Sequence, residues 1–409
     1  MYIIKPKGIF LSDDNNFHKG IVVTEGEKIV WVGDEEDLPS HFTEKGQLIE
    51  LRDKWLLPGL VNTHVHLEFD ASNDVVDNFT SSSKEELLAL AQHQGEQLLY
   101  SGVTTARDAG SSWNLLELGA NSPNLPRLVF CGPPVTAYNG HLFFMGCEAE
   151  STKELADAVR IHYEKGATSL KIMATGGQIT PNCDPVKAAY SVEQIKTIVE
   201  SAHQYNLPTL AHCLTTEGFA ICSAGGVDCI EHCACFVRSK ESGLLEREFI
   251  PEIFELDDKQ KPLLMIGVST CYNLLNEVRF GRREPTPLEV FKLEQERILF
   301  EIVHHLIVLG YPFVIGTDAG VWGTYFNETH LELSLMGERA GMSWQEVVRS
   351  ATERGAQCLG LGDKVGIIRE GYFADLIALD ESPQESFNAF EKVSWVMKDG
   401  RIVKEWLKC

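Results

Sequence analysis

His64 and His66, in the stretch LLPGLVNTHVHLEF, are two imidazoles two residues apart at the end of a short apolar run. On a strand the side-chain period is two, so both rings face the same side. A neutral imidazole is a metal ligand, and a pair held in this way can grip one divalent cation. One such pair in a chain with 13 histidines is not sufficient, so further ligand types must arrive from elsewhere. Lys171 in KIMATGG, His212 in AHC, His232 in IEHC and Asp318 in GTDAG each fall within or at the end of a strand-like run. Singly, each also reads as structural: a hydrogen-bonded core histidine, a turn-capping aspartate, a lysine in a buried ion pair. Jointly they point to a metal centre.

The elements that would position them alternate. Strand-like runs occur at 59–66, 103–109, 127–132, 169–175, 209–213, 228–233, 263–269 and 313–318. Helical patterns fall at 84–100, 151–165, 191–205, 216–224 and 289–309, then at 328–340 and 343–357. Ser191 with Gln194, and Ser343 with Glu346, fit capping boxes. The stretch 139–147 reads as a long loop after the third strand. Alternating strands and helices imply a parallel sheet, and eight such units over roughly 300 residues fit a (β/α)8 TIM barrel, an α/β fold with its chemistry at the carboxyl ends of the strands. A doubly wound sheet is the rival, but no Gly-rich phosphate loop follows the first strand.

The chain ends have another texture. Short alternating runs at 20–23 and 28–32 are matched by others at 364–368, 374–379, 393–398 and 401–404, and Asp399-Gly400 suits a type I′ hairpin turn. These could be two separate appendages. The expectation adopted is one small β domain built from both termini, residues 1–56 plus 362–409, around a barrel at 57–361.

Composition sets the context. At 409 residues, with 44% hydrophobic and 23% charged residues and a formal charge of −23, the chain reads as a soluble globular protein. No basic patch interleaved with aromatics points to nucleic acid or an anionic membrane as partner. The opening MYIIKPKGIFL has no secretory pattern and no apolar run approaches 18 residues, so a cytoplasmic location is expected. Eleven cysteines, an odd number without framework spacing, suit free thiols in a reducing compartment. Cys229, Cys233 and Cys235 read as buried thiols rather than a zinc cluster.

Four histidines and one aspartate exceed what one tetrahedral zinc needs. Two cations about 3.5–4 Å apart with a bridging hydroxide would use them. Such a pair requires bridging negative charge. An unmodified Lys171 has no lone pair to offer, whereas carbon dioxide added to its neutral amine gives a carbamate, N6-carboxylysine, with two anionic oxygens.

LLPGLVNTHVHLEF, GVTTARDAG, KIMATGG, AHC, IEHC, GTDAG and GIIREGYFADLIALD, in this order over nearly the whole chain, resemble the amidohydrolase superfamily, within it the imidazolonepropionase-related branch that contains prolidases and metal-dependent carboxypeptidases. The resemblance implies the barrel and the β-sandwich, and a homo-oligomer. It implies that His64, His66 and Asp318 hold the more buried of two divalent ions, expected to be zinc, and His212 and His232 the more exposed one, with Lys171 as the carbamate. It implies hydrolysis of an amide C–N bond in a small molecule by attack of a metal-bridged hydroxide, with Asp318 as proton shuttle and His141, in YNGHLFFMG, reaching the substrate. Tyr138 and Trp322 are candidate substrate contacts; Arg238, Tyr272 and Tyr325 are further lining candidates, and Phe143, Phe144 and Phe326 hint at an apolar group on the substrate. Prolidase-like members commonly place a tyrosine just after the fifth-strand histidine. This chain has Cys213 and Leu214 there, which weakens a dipeptidase or carboxypeptidase reading. A cyclic amide hydrolase or deaminase, and a metal-bearing scaffold without turnover, are the alternatives.

Overall fold

The computed structural model describes residues 1–405. Its centre is a set of short, largely buried parallel strands. Leu60–Val65, Val103–Asp108 and Arg127–Phe130 pair side by side in that order. A second parallel set runs Leu170–Met173, Thr209–Cys213, Cys229–His232 and Leu263–Met265. Their continuous burial is that of strands covered on both faces, as crossover helices require. Single parallel bridges join the sets: Val135 with Ile172 on one side, Leu264 with Phe313 and Val65 with Ala319 on the other.

Helices Lys84–Tyr100, Thr152–Lys165, Val192–Gln204 and Thr216–Gly225 lie between strands close to where periodicity predicts them. Ser191 and Gln194 form both halves of their capping box. Ser343 accepts from the Glu346 N–H without the reciprocal bond, and the stretch predicted as one helix is two, Trp344–Ser350 and Glu353–Cys358. Thr352, at φ −136° and ψ −94°, lies between them and breaks the helical path.

Both chain ends share one eight-stranded sheet. Its path is Arg401–Glu405, Val393–Lys398, Leu376–Leu379, Gln47–Pro58, Tyr2–Leu11, Ile21–Glu25 and Lys28–Gly33, with Asn16–His18 paired to the end of Tyr2–Leu11. Ile4, Val22, Leu56, Leu376, Trp395 and Met397 belong to its own apolar cluster. The turn at Asp399 (φ 48°) and Gly400 (φ 69°) has the left-handed residues a type I′ hairpin needs. Arg127 ties this sheet to the parallel strands through Asp375 (3.2 Å) and Asp399.

Three expectations are corrected. Residues 364–368 form no strand. The early strands are much longer than their local alternation suggests, ten residues at Tyr2–Leu11 and twelve at Gln47–Pro58, because each has a neighbour along its length. The eighth run, 313–318, is not a continuous strand. It is held by the bridges above and by single hydrogen bonds, Thr63 N–H to Ile315 O (2.8 Å) and Asp318 N–H to His64 O (2.9 Å). Asp318 at φ 61° and Gly320 at φ 105° leave the extended region, so the ladder cannot continue. No helix among the described residues is long and apolar enough to cross a membrane.

Candidate metal centre

His64 and His66 end the first parallel strand, and their Nε2 atoms lie 3.2 Å apart. Asp318 Oδ1 is 3.1 Å from His64 Nε2 and 3.3 Å from His66 Nε2. The irregular eighth segment is pinned beside the first strand by Asn62, fully buried. Its Nδ2 donates to Thr317 Oγ1 (2.9 Å) and Thr329 Oγ1 (3.2 Å), while its Oδ1 accepts from the His64 and Thr317 N–H groups. The His66 ring is oriented from behind. Its Nδ1 is 3.0 Å from Gly110 O, so Nδ1 carries the proton and Nε2 keeps its lone pair.

His212 and His232 come from adjacent strands, and their ring centroids are 4.8 Å apart. His212 Nε2 donates to Gly176 O (3.1 Å), which leaves Nδ1 as its ligand atom. Register pairs Glu231, not His232, with His212, so strand alternation alone would turn His232 away. Left-handed backbone at His232 (φ 69°) changes its direction, and the ring sits 5.3 Å from that of His64. His64, His232 and Asp318 offer ligand atoms all within 4.8 Å of one another.

Lys171 is fully buried and pairs with Glu231, whose other oxygen lies 2.7 Å from His64 Nδ1. That second contact is close but lacks the alignment of a hydrogen bond. Glu231 was not anticipated; the only trace of it in the sequence is its place before a candidate ligand in IEHC.

The electrostatics favour ligand-ready side chains. Burial pulls His141 down to about 3, aided by Lys171, and His232 down to about 4; it holds His212 well below the ordinary value. These imidazoles are therefore neutral near pH 7. For His66 burial acts in the same direction, but Asp318 outweighs it and raises the ring. Burial would raise the Asp318 and Glu231 carboxyls. His64 overrides it at both, joined by His66 at Asp318 and by Lys171 at Glu231, so both stay ionised.

All six candidate ligands, with His141 and Trp322, line one cavity of about 650 Å³ at the carboxyl ends of the strands. Arg238 and Tyr272 line it too. Tyr138 does not: it is 52% exposed and its hydroxyl donates to Glu154 (3.0 Å). Tyr325, Phe143, Phe144 and Phe326 are likewise not part of the wall. His141 Nδ1 is 2.7 Å from Thr180 Oγ1, which also accepts the Leu142 N–H. A Cβ on Gly177 would stand 2.3 Å from His141 Nε2, so only glycine admits the ring there. A larger hollow of about 1220 Å³, bounded by Pro208, Asp228, Leu263 and Pro312, lies at the opposite strand ends and gathers no comparable set of ligands. Cys229, Cys233 and Cys235 are buried free thiols.

Glu332, fully buried, supports the wall. Its two oxygens accept the Val268 and Ser269 N–H groups at 3.0 and 2.7 Å, and Val268 lines the cavity. Burial pushes this carboxyl from 4.5 up to about 7, so the folded protein binds its proton more tightly than the unfolded chain does. That contribution is complete below about pH 4.5 and is lost as pH rises through about 7, at up to about 1.4 kcal/mol per pH unit. Glu68, raised to about 7 by burial, acts in the same sense. Thermal midpoints of Glu332→Gln between about pH 4.5 and about pH 8 are therefore expected to fall less steeply than those of the wild type. Equal slopes would show that Glu332 does not titrate in this window.

Fold and centre together define a class: a parallel α/β protein whose strand ends gather imidazoles and a carboxylate suited to divalent metal. Residues 55–403 match the Amidohydrolase family, and the chain belongs to it. It is a hydrolase acting on carbon–nitrogen bonds. The ochratoxinase of Aspergillus niger is 25% identical over 440 aligned positions, which cover 97% of this chain and 85% of that protein. The imidazolonepropionase of Colwellia psychrerythraea is 22% identical, covering 88% of this chain and 84% of its own. A crystal structure of a Xaa-Pro dipeptidase with bound methionine shares the fold, with a TM-score of 0.81 and 23% identity over 98% of this chain and 99% of that one.

Proposed function

We propose that this chain hydrolyses an amide bond of a small molecule with two divalent cations, held at the mouth of a closed (β/α)8 barrel spanning 57–361. The parallel bridges that join its two strand sets support the closure. A composite β domain, 1–56 plus 362–409, accompanies it, supported by the single sheet shared by both termini. The observation that carries the reading is the convergence of His64 Nε2, His66 Nε2 and Asp318 Oδ1 within 3.1–3.3 Å, two imidazole nitrogens and a carboxylate oxygen gathered around one point. Such a donor set suits zinc, and those three residues would hold the more enclosed ion. His212 and His232 would hold the other, and Lys171, as N6-carboxylysine, would add anionic oxygens to the donor set. When bound, the cations supply a Lewis acid for the amide carbonyl and a hydroxide nucleophile near neutral pH.

The chain's own residues do the rest. Asp318 accepts the nucleophile's proton on its carboxylate and delivers it to the leaving nitrogen. The Thr180 hydroxyl donates a hydrogen bond to His141 Nδ1, so that the neutral ring presents Nε2–H to the substrate's carbonyl or carboxylate oxygen. Trp322 contributes an apolar wall. Leu214, lining the cavity, offers no hydrogen-bond donor from its side chain, which weakens a prolidase-like dipeptidase reading. The buried free thiols among the described residues fit a cytoplasmic setting, and a homo-oligomer is the expected assembly by family resemblance.

Metal analysis combined with turnover of N-acyl amino acids, dipeptides, aryl amides, carbamates and lactams tests this reading. Two equivalents of metal are expected, together with hydrolysis of at least one amide, abolished by a chelator and restored by zinc. Two firmly held ions without turnover of any amide, ester or lactone would instead establish a metal-bearing scaffold.

A further inference from the structure

We propose that Cys358 and Cys229 form a peroxide-sensitive thiol pair at the strand ends opposite the metal centre, in which a hydroperoxide oxidises Cys358 to a sulfenic acid and Cys229 resolves it to a disulfide. The pair faces a different hollow from the one that holds the metal ligands, and its test does not depend on the amide-hydrolase reading.

Cys229 is the first residue of the strand Cys229–His232, directly after Val227 and Asp228, which line the hollow of about 1220 Å³. Cys358 is the last residue of the helix Glu353–Cys358 and lines the same hollow. Both side chains belong to one small buried cluster with Cys131, Leu210, Met265 and Val314. Within it the two thiols are hydrogen-bonded to each other. A disulfide requires two sulfurs that the backbone already holds side by side, and here a strand and a helix far apart in sequence supply them.

A buried cation stands beside the pair. Arg107, on the strand Val103–Asp108, is fully enclosed. Its Nε donates to Thr63 O (2.9 Å) and its Nη1 to Ser169 Oγ (3.4 Å), both uncharged acceptors. Nη2, equally enclosed, has no hydrogen-bond partner among the described residues. A guanidinium in so dry a place calls for negative charge beside it. Glu231 contributes, but that carboxylate is already paired with Lys171. Burial would lower Arg107; Cys358, ahead of Cys229, Cys131 and Glu231, outweighs it and raises the group. The thiols respond in opposite directions. The hydrogen bond with Cys229 draws Cys358 below the ordinary thiol value, against burial and with the help of Arg107. The same bond, with burial, holds Cys229 well above that value. The proton therefore stays on Cys229, and Cys358 carries the thiolate, which is the nucleophilic form. Cys131 shares the cluster and the cation, but burial lifts it to about 12 and it does not line the hollow.

The thiolate attacks the O–O bond of a hydroperoxide that enters the hollow. An S–O bond forms on Cys358, the O–O bond breaks, and the departing alkoxide or hydroxide takes the Cys229 proton. The Cys229 sulfur then attacks that of Cys358. The S–S bond forms, the S–O bond breaks, and hydroxide leaves to take a proton from solvent. The two thiols give up two electrons, and the hydroperoxide is reduced to an alcohol and water, or to water alone when it is hydrogen peroxide. The product would fasten the first residue of the strand that carries Glu231 and His232 to the end of the helix Glu353–Cys358.

The test uses the full metal-loaded chain and hydrogen peroxide in small excess, quenched in acid denaturant, alkylated and mapped by peptide mass spectrometry. A cross-linked peptide pair containing Cys229 and Cys358 is expected as the main product, reversed by dithiothreitol. In Cys229→Ser, which lacks the resolving thiol, dimedone should label Cys358 as a sulfenic acid; in Cys358→Ser both the cross-link and the label should vanish. Without peroxide, N-ethylmaleimide near pH 7 should modify Cys358 at least about 10-fold faster than Cys131, since reaction follows thiolate character and access. If peroxide leaves Cys229 and Cys358 as thiols, or if Cys358 reacts no faster than Cys131, the pair is refuted. Should neither variant fold, the wild-type cross-link and the two alkylation rates decide by themselves.

Discussion

Asp318→Asn is expected to lower kcat by about 10³-fold at saturating metal while the protein stays folded, as loss of a positioned general acid–base does. The substitution keeps the shape of the side chain, and the backbone that places it is unaffected: the Asp318 N–H bond to His64 O and the Asn62 network do not involve the carboxylate. What disappears is the anion beside His64 and His66 and, with it, the carboxylate oxygen proposed to take the proton. Loss of a carboxylate that the neighbouring imidazoles hold ionised should also lower the thermal midpoint, so rates are compared at a temperature where the variant is folded. Metal affinity should weaken, because an amide oxygen is a poorer ligand than a carboxylate, and the measurement therefore needs metal in excess. A variant retaining more than about a tenth of wild-type kcat under those conditions would remove Asp318 from the proton path.

Replacing His64 with Asn should cost the protein bound metal as well as turnover. His64 touches three of the other groups at the centre, His66 at 3.2 Å, Asp318 at 3.1 Å and Glu231 at 2.7 Å. Asn cannot reach the same point with an aromatic nitrogen, so the more enclosed ion loses one of three proposed ligands. A partner that merely orients a ligand is worth about 10–100-fold in metal affinity, and loss of a ligand itself should exceed that. At least one equivalent of metal should be missing by elemental analysis, with activity reduced by about 10⁴-fold. Chelator-treated wild type should match this loss and recover with zinc, whereas the variant should not recover. Survival of both metal content and rate would place the centre elsewhere.

The two predictions draw on different kinds of information. His64 and His66 were legible because strand periodicity is local: two residues two apart share a face whatever surrounds them. Alternation of strands and helices, and the capping box at Ser191, were readable for the same reason. The continuous strands at 2–11 and 47–58 were not, because their length is set by neighbours distant in sequence. The irregular eighth segment was misread as a strand, since the left-handed turn at Asp318 is imposed where it meets the first strand rather than by its residues alone.

From sequence came the ligand types, their order and the parallel α/β framework, all of which depend on spacing along one chain. Folding alone decided that Glu231 lies between Lys171 and His64, that His232 turns back toward the cavity against the alternation of its strand, and that Tyr138 stays outside. Each of these depends on which groups meet across strands and loops far apart in sequence. Burial then sets their charge: in a low-dielectric interior a carboxylate is stabilised by the imidazole or ammonium that folding places beside it.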